Sequence, residues 1–292
     1  MNYFSCCKLC PRECCVDRHN TIGFCRANDK LKIARAALHF FEEPPISGTN
    51  GSGAIFFSNC NLRCVFCQNY QISNENIGKE VSVSKFSDIC INLQNQGALN
   101  INLVTPTHYV PLIREGLLLA KKKGLTIPIV YNTSSYESVS TIKMLNGIVD
   151  VYLPDLKYYS NELAIKYSKA PHYFEIATKA ICEMVDQVGI PEFDERGIIK
   201  KGVIVRHLIL PNHIQNSKHI LKWFKENLEN KAYISVMAQY FPTFKAKEDS
   251  LLNRKISKKE YEEIENYLYM LDIENGYMQE LGEHEEEYVP DF

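Results

Sequence analysis

The sequence predicts an α/β fold: a partial (βα)6 TIM-like barrel with an N-terminal cysteine-rich metal-binding extension. Three observations predict it. From Ala54 onward, short strand-like runs alternate with amphipathic segments, the pattern of βα units. The runs number six and have few polar breaks, as strands of a parallel sheet buried on both faces do. Nine of the 11 cysteines fall within the first 67 residues, mostly ahead of that alternation.

Residues 1–50 read as an irregular extension. Pro11, Gly23, Pro44-Pro45 and Gly48 interrupt it, and Leu31–Phe41 is its one candidate for a regular element. Thr49–Gly53 makes a flexible break. Residues 51–292 then form the barrel with a C-terminal helical tail. The strand candidates are Ala54–Ser58, Asn100–Val104, Ile127–Tyr131, Val149–Leu153, Val203–Leu210 and Tyr233–Met237. Helices fill the gaps. Ser84–Gln96 opens on a capping serine and closes at Gly97. Val110–Lys123 ends in three lysines, suited to the negative end of a helix dipole. Ser135–Leu145, Asn161–Lys169, His172–Val188, Ile214–Leu228 and Ile256–Leu271 complete the set. Gly197–Val205 reads as a hairpin start, and Glu283–Glu287 as a solvated acidic end. A doubly wound sheet would use the same elements. Cys90 and Cys182 lie in helical patterns and are expected in the core.

Composition excludes several classes of protein. The net charge is −2, from 33 basic and 35 acidic residues, so nothing favours broad electrostatic binding to nucleic acid. No apolar run approaches the roughly 18 residues of a membrane span. Met1–Lys8 lacks the pattern of a signal peptide, which predicts a cytoplasmic protein. The cysteine count is odd and the chain long, which argues against a disulfide scaffold. No cysteine is expected to need a disulfide partner.

Cys60, Cys64 and Cys67 follow the first strand candidate at C-x3-C-x2-C spacing. That loop lies at the C-terminal end of the sheet, where α/β barrels build active sites. Three thiolates can hold three irons of a 4Fe–4S cluster and leave the fourth iron open. A zinc site with three cysteines and a histidine is the first rival, but the next histidine is His108. A redox C-x-x-C would leave Cys60 without a role.

With Phe66 ahead of the third cysteine, the triplet resembles the signature of the radical S-adenosylmethionine (SAM) superfamily. More narrowly, the chain resembles pyruvate formate-lyase activating enzyme-like proteins, in the branch with an N-terminal cysteine motif. The stretches that carry this are CKLCPRECCVDR, GFCR, FFSNCNLRCVFCQN, NINLVTPTHYVP, YNTSSYE, YLPDLKY, VRHLILPN and ISVMAQYFP. The resemblance implies a 4Fe–4S cluster on Cys60, Cys64 and Cys67, with SAM as cofactor. It further implies a one-electron donor such as flavodoxin or ferredoxin, and reductive cleavage of SAM to a 5′-deoxyadenosyl radical that abstracts hydrogen.

The same resemblance assigns further positions. Phe66 lies against the SAM adenine. Where most relatives carry Gly-Gly-Glu, this chain has Thr105 and Thr107, whose oxygens would serve the SAM amine instead. His108 is a proton donor, a substrate contact or an ordinary satisfied histidine. Asn132-Thr133 matches an Asp-Thr pair and Asp155-Leu156-Lys157 an Asp-Leu-Lys; these hold a monovalent cation and the SAM carboxylate. Asp155 and Lys157, two apart in an extended segment, point the same way. Arg206 faces the SAM carboxylate or the substrate. By position rather than by resemblance, Gln239-Tyr240 follow the sixth strand candidate, where a barrel puts substrate contacts. Cys7, Cys10, Cys14 and Cys25 hold a second iron–sulfur cluster or zinc, with Cys6 and Cys15 as spare ligands. Three functions follow: activation of a partner protein at a glycine; radical chemistry on a small molecule, peptide or nucleoside; or a non-enzymatic, metal-stabilised binding module.

Overall fold

The computed structural model describes residues 3–282. Its ten strands are β1 (Leu31–His39), β2 (Ser52–Phe57), β3 (Lys79–Val81), β4 (Ile101–Val104), β5 (Ile129–Thr133), β6 (Val151–Pro154), β7 (Glu192–Phe193), β8 (Ile199–Leu208), β9 (Tyr233–Met237) and β10 (Gly276–Met278). The helices are α1 (Pro44–Ser47), α2 (Tyr70–Asn74), α3 (Val83–Asn95), α4 (Val110–Lys122), α5 (Val139–Lys143), α6 (Asn161–Ser168), α7 (Tyr173–Val188), α8 (Ile214–Leu228) and α9 (Lys258–Leu271).

The six expected runs are the parallel strands β2, β4, β5, β6, β8 and β9, adjacent in that order. Every residue of β2, β4, β5 and β6 is buried, because helices cover one face and side chains fill the other. The helices bury matching stripes. In α7 the stripe is Ala177, Ala180, Ile181, Met184, Val185 and Val188, at helical spacing. Three strands were not foreseen as part of this sheet. The nine-residue β1 pairs antiparallel with β2 and β3, which extends the sheet into the cysteine-rich segment. At the other edge, the short β10 runs parallel to β9.

Some boundaries move for local reasons. Ser82 rather than Ser84 caps α3, accepting from the Lys85 amide at 3.1 Å. The helix expected at Ser135–Leu145 shrinks to α5, because Ser135 is left-handed (φ +63°) and Tyr136-Glu137 continue the turn. The β7–β8 hairpin turns at residues 194–197, ahead of Lys200-Lys201-Gly202. Cys90 is buried as expected, but Cys182 is exposed on α7, off the buried stripe. The acidic run Glu283–Glu287 lies outside the described residues.

Candidate active site

Asn59 leaves β2 in the left-handed region (φ +76°), which asparagine tolerates. The turn starts the loop that carries Cys60, Cys64 and Cys67. Long-range bonds pin this loop. The Arg63 and Val65 amides donate to Ser168 and Tyr167 carbonyls at 3.0 and 2.8 Å, and Asn61 Nδ2 donates to the Tyr136 carbonyl at 2.7 Å. All three cysteines line one cavity of about 690 Å³. Each sulfur has a polar neighbour. The Leu62 amide donates to Cys60 Sγ at 3.4 Å and Ser168 Oγ to Cys64 Sγ at 3.0 Å, while Ser73 Oγ lies 3.3 Å from Cys67 Sγ. Such contacts tune a cluster held by thiolates.

Burial pushes the Cys60 thiol up to about 12 and Cys67 to about 11, the neighbouring Cys64 adding to both. Burial raises Cys64 too, against the pull of Lys157. Sulfurs so placed ionise when bound iron balances the charge. Among the described residues no three Cys, His, Asp or Glu side chains converge on a single ion. A 4Fe–4S cluster requires no such point, since each thiolate binds a different iron. The three-sulfur loop facing a cavity therefore fits a cluster better than a mononuclear ion.

The wall of the cavity comes from the ends of the parallel strands. Thr105, Asn132, Thr133, Asp155, Lys157 and Arg206 line it, as does Phe66. Asp155 is the hub: Oδ1 accepts from Arg206 Nε at 2.9 Å and Oδ2 from Lys157 Nζ at 2.6 Å. Burial alone would raise the Asp155 carboxyl, but Arg206 and Lys157 hold it below its ordinary value. Arg206 also donates to Asn132 Oδ1 at 2.6 Å and to Glu42 Oε2 at 3.3 Å. Thr105 holds φ +59°, rare for a β-branched residue, and its amide donates to the Asn132 carbonyl at 2.9 Å. Strain of this kind persists where surrounding structure imposes it.

Three expected residues, Thr107, His108 and Tyr240, are not brought to the cavity. Thr107 is buried behind it and donates to Glu137 Oε1 at 2.6 Å. His108 Nε2 donates to the Ser58 carbonyl at 2.8 Å, while burial and the nearby Arg18 depress its pKa to about 3. The enclosed imidazole is held through Nε2 alone, its Nδ1 buried without a partner among the described residues, and it does not reach the cavity. Gln239 lines the cavity, whereas Tyr240 turns its hydroxyl to the Leu252 carbonyl at 2.8 Å.

Sequence reasoning missed three carboxyls. Glu137 accepts from the Thr107, Thr133 and Tyr131 hydroxyls at 2.6, 2.5 and 3.2 Å, which orients the threonines at two strand ends. It lay inside the quoted stretch YNTSSYE, with nothing to separate it from a surface glutamate. Glu42 and Glu43 follow β1 and enter the cavity. Adjacent acids before a Pro-Pro pair give no sign of burial.

The N-terminal extension docks against the cluster loop. Cys7, Cys10 and Cys25 are buried and Cys14 half-buried. Arg18, 1% exposed, donates to the Ala27 and His108 carbonyls at 3.1 and 2.7 Å and lies 3.7 Å from Cys7 Sγ. Arg12 donates to the Asn61 carbonyl at 3.1 Å. Its guanidinium sits 3.8 Å from the Phe24 ring centroid, with Arg63 at 4.5 Å from the same ring. Burial pushes Cys10 up to about 12 and raises Cys25. Contrary to expectation, Cys6 and Cys15 form a disulfide and so are not spare ligands. Amide bonds Cys7 to Val16 and Cys15 to Cys7 run the two segments side by side, with the Cys6 and Cys15 Cα atoms 4.2 Å apart.

An open parallel sheet with a three-cysteine loop over its C-terminal end defines a class of iron–sulfur enzymes. The Radical SAM superfamily model matches residues 54–212. Uncharacterized protein MJ0674 of Methanocaldococcus jannaschii is 33% identical over 284 residues, covering 94% of this chain and 76% of its own length. The chain belongs to the radical SAM superfamily, whose enzymes use a 4Fe–4S cluster and SAM. Among solved structures, Streptococcus suis SuiB bound to its precursor peptide SuiA shares the fold, with a TM-score of 0.51 at 15% identity over 76% of this chain and 46% of that one. Native anSMEcpe with bound AdoMet and Kp18Cys peptide gives 0.50 at 14% identity, over 73% of this chain and 57% of that one. The chain thus spans about half the length of these two structures, and the likeness is one of fold.

Proposed function

We propose that this enzyme abstracts hydrogen from a small molecule or peptide held in the cavity between the cluster loop and Arg206. When bound, the cluster and SAM supply a one-electron cleavage that yields methionine and a 5′-deoxyadenosyl radical. The cluster would be held by Cys60, Cys64 and Cys67. Lys157 and Arg206 would receive the SAM carboxylate, Phe66 would flank the adenine, and Thr105 would stand near the amine. Asp155 already has two cationic partners, so Arg206 takes the charge-balancing place expected of a monovalent cation. Cys7, Cys10, Cys14 and Cys25 would hold the second metal. Roughly eight irons per chain would assign it as a second 4Fe–4S cluster, and four irons with one zinc as a zinc site.

The observation that carries this reading is the set of charged groups, Asp155, Lys157, Arg206, Glu42 and Glu43, in the wall of a cavity that the cysteines also line. A substrate with polar groups of its own suits it. The peptide bound to SuiB fits the same reading. Activation of a partner protein at a glycine is the second reading, and the Asp155-Leu156-Lys157 match favours it. A reduced, anaerobically reconstituted protein mixed with size-fractionated cell extract separates the two, with flavodoxin or ferredoxin as the natural electron source. Faster 5′-deoxyadenosine formation with the small-molecule and peptide fraction supports the first. A rise confined to the protein fraction, with a protein-borne radical in electron paramagnetic resonance, would replace it with the second.

A further inference from the structure

Glu42 and Glu43 reach the cavity from the end opposite the cluster loop. β1 runs antiparallel to β2, so the chain leaving β1 emerges near the N-terminal ends of the parallel strands. Asn102, near the start of β4, donates to Glu42 Oε1 at 2.9 Å, whereas Thr105 lies just past the strand's end. Three residues of strand separate them, about 10 Å. The two carboxylates therefore form a floor beneath the rim where the cysteines sit.

This floor is short of hydrogen-bond donors. Glu42 and Glu43 side chains are 9% and 8% exposed. Glu42 is satisfied by Asn102, Asn132 at 3.3 Å and Arg206 at 3.3 Å. Glu43 Oε2 is buried and has no hydrogen-bond partner among the described residues; the nearest cation, Arg206 Nη1, is 3.9 Å away. The amide oxygen of Asn102 is likewise buried without a donor. Charge points the same way. Glu42, Glu43 and Asp155 face Arg206 and Lys157 across the cavity; burial raises the Glu42 and Glu43 carboxyls against the pull of the single shared Arg206, so a second cation beside them would relieve both. A buried acceptor without a donor is costly, and a cation carrying N–H groups removes both deficits at once.

We propose that Glu43, backed by Glu42, is a substrate subsite that takes a protonated amine, so that the substrate is anchored at the floor and presents its carbon chain to the rim. This rests on the radical SAM reading of the cavity and names its substrate class. An ammonium group at the floor would direct the rest of the substrate toward the cysteine loop. The substrate thereby enters with a fixed orientation, which selects the carbon that faces the reacting end.

The test uses anaerobically reconstituted, full-length protein saturated with SAM. Calorimetric titration with n-pentylammonium, 1-pentanol and pentanoate compares a cation, a neutral donor and an anion of similar size. The ammonium is expected to bind at least tenfold more tightly than the other two. Glu43→Gln should weaken it at least tenfold, and Glu43→Asp should recover part of the loss. Equal binding of the alcohol, or an unchanged ammonium affinity in Glu43→Gln, would overturn the proposal. So would a Glu43→Gln variant that loses SAM affinity while binding the ammonium normally, since the floor would then belong to the SAM amine. Should Glu43→Gln fail to fold, the selectivity of the unmodified protein among the three probes decides. Absence of 5′-deoxyadenosine from the unmodified protein would instead sink the enzyme reading, whatever the amines do.

Discussion

Glu137 ties two strand ends together through three hydroxyls, all donating to one of its oxygens. Burial pushes its carboxyl from an ordinary 4.5 up to about 7, against the pull of those hydroxyls. The folded state therefore keeps a proton that the unfolded chain releases near pH 4.5. The stability this contributes is fully present below pH 4.5 and lost as pH rises through 7, on the order of 3 kcal/mol. Glutamine mimics the protonated carboxyl, so Glu137→Gln should remove this slope. Urea denaturation of both proteins between pH 4.5 and 7.5 checks it; parallel stability curves would contradict the raised pKa. At this scale the cysteine triplet was legible because its ligands lie close in sequence. Glu137, Glu42 and Glu43 were not, because their partners come from other strands. His108 misled for the same reason: only the fold shows that Ser58 and Arg18 enclose it.

Strands and helices were legible where a buried segment needs apolar residues along its whole length, as in β4 to β6. β10 is three residues long and gave no pattern to read. The candidate element at Leu31–Phe41 is β1, but nothing in it told that it joins the sheet antiparallel to β2 and carries the floor carboxylates into place. Two substitutions test the elements. Arg18→Ala removes buried donors to the Ala27, Asn28 and His108 carbonyls. It should loosen the docked extension by about 2–3 kcal/mol, visible as faster proteolysis within residues 3–30. Unchanged proteolysis would show that other contacts hold the extension. Gly202, at φ +130°, pairs with Val151 of β6, and a Cβ there would sit 2.6 Å from Pro191 Cα. Gly202→Ala should cost about 2 kcal/mol or more in chemical denaturation, through strain and collision together. A cost under about 0.5 kcal/mol, the size of an ordinary surface change, would contradict that packing.

Across the molecule, one sheet connects the two halves of the chemistry. Its C-terminal edge carries the cysteine loop, and the segment entering from its other end carries the floor of the cavity. Residues of β2 and of β10, far apart in the strand order, line the same space, which makes the sheet an open barrel. The βα alternation predicted this architecture but left a doubly wound sheet open, since both use the same elements. The cavity's charge did not, since a near-neutral chain can still concentrate acids in its interior. Among the described residues, no helix is long and apolar enough to cross a membrane. The central claim is that the loop of Cys60, Cys64 and Cys67 holds the cluster that cleaves SAM. The most direct measurement is 5′-deoxyadenosine formed from SAM by dithionite-reduced, anaerobically reconstituted protein. The unmodified chain should form it, and the combined variant Cys60→Ala, Cys64→Ala, Cys67→Ala should form none. Equal formation by the triple variant would contradict the assignment.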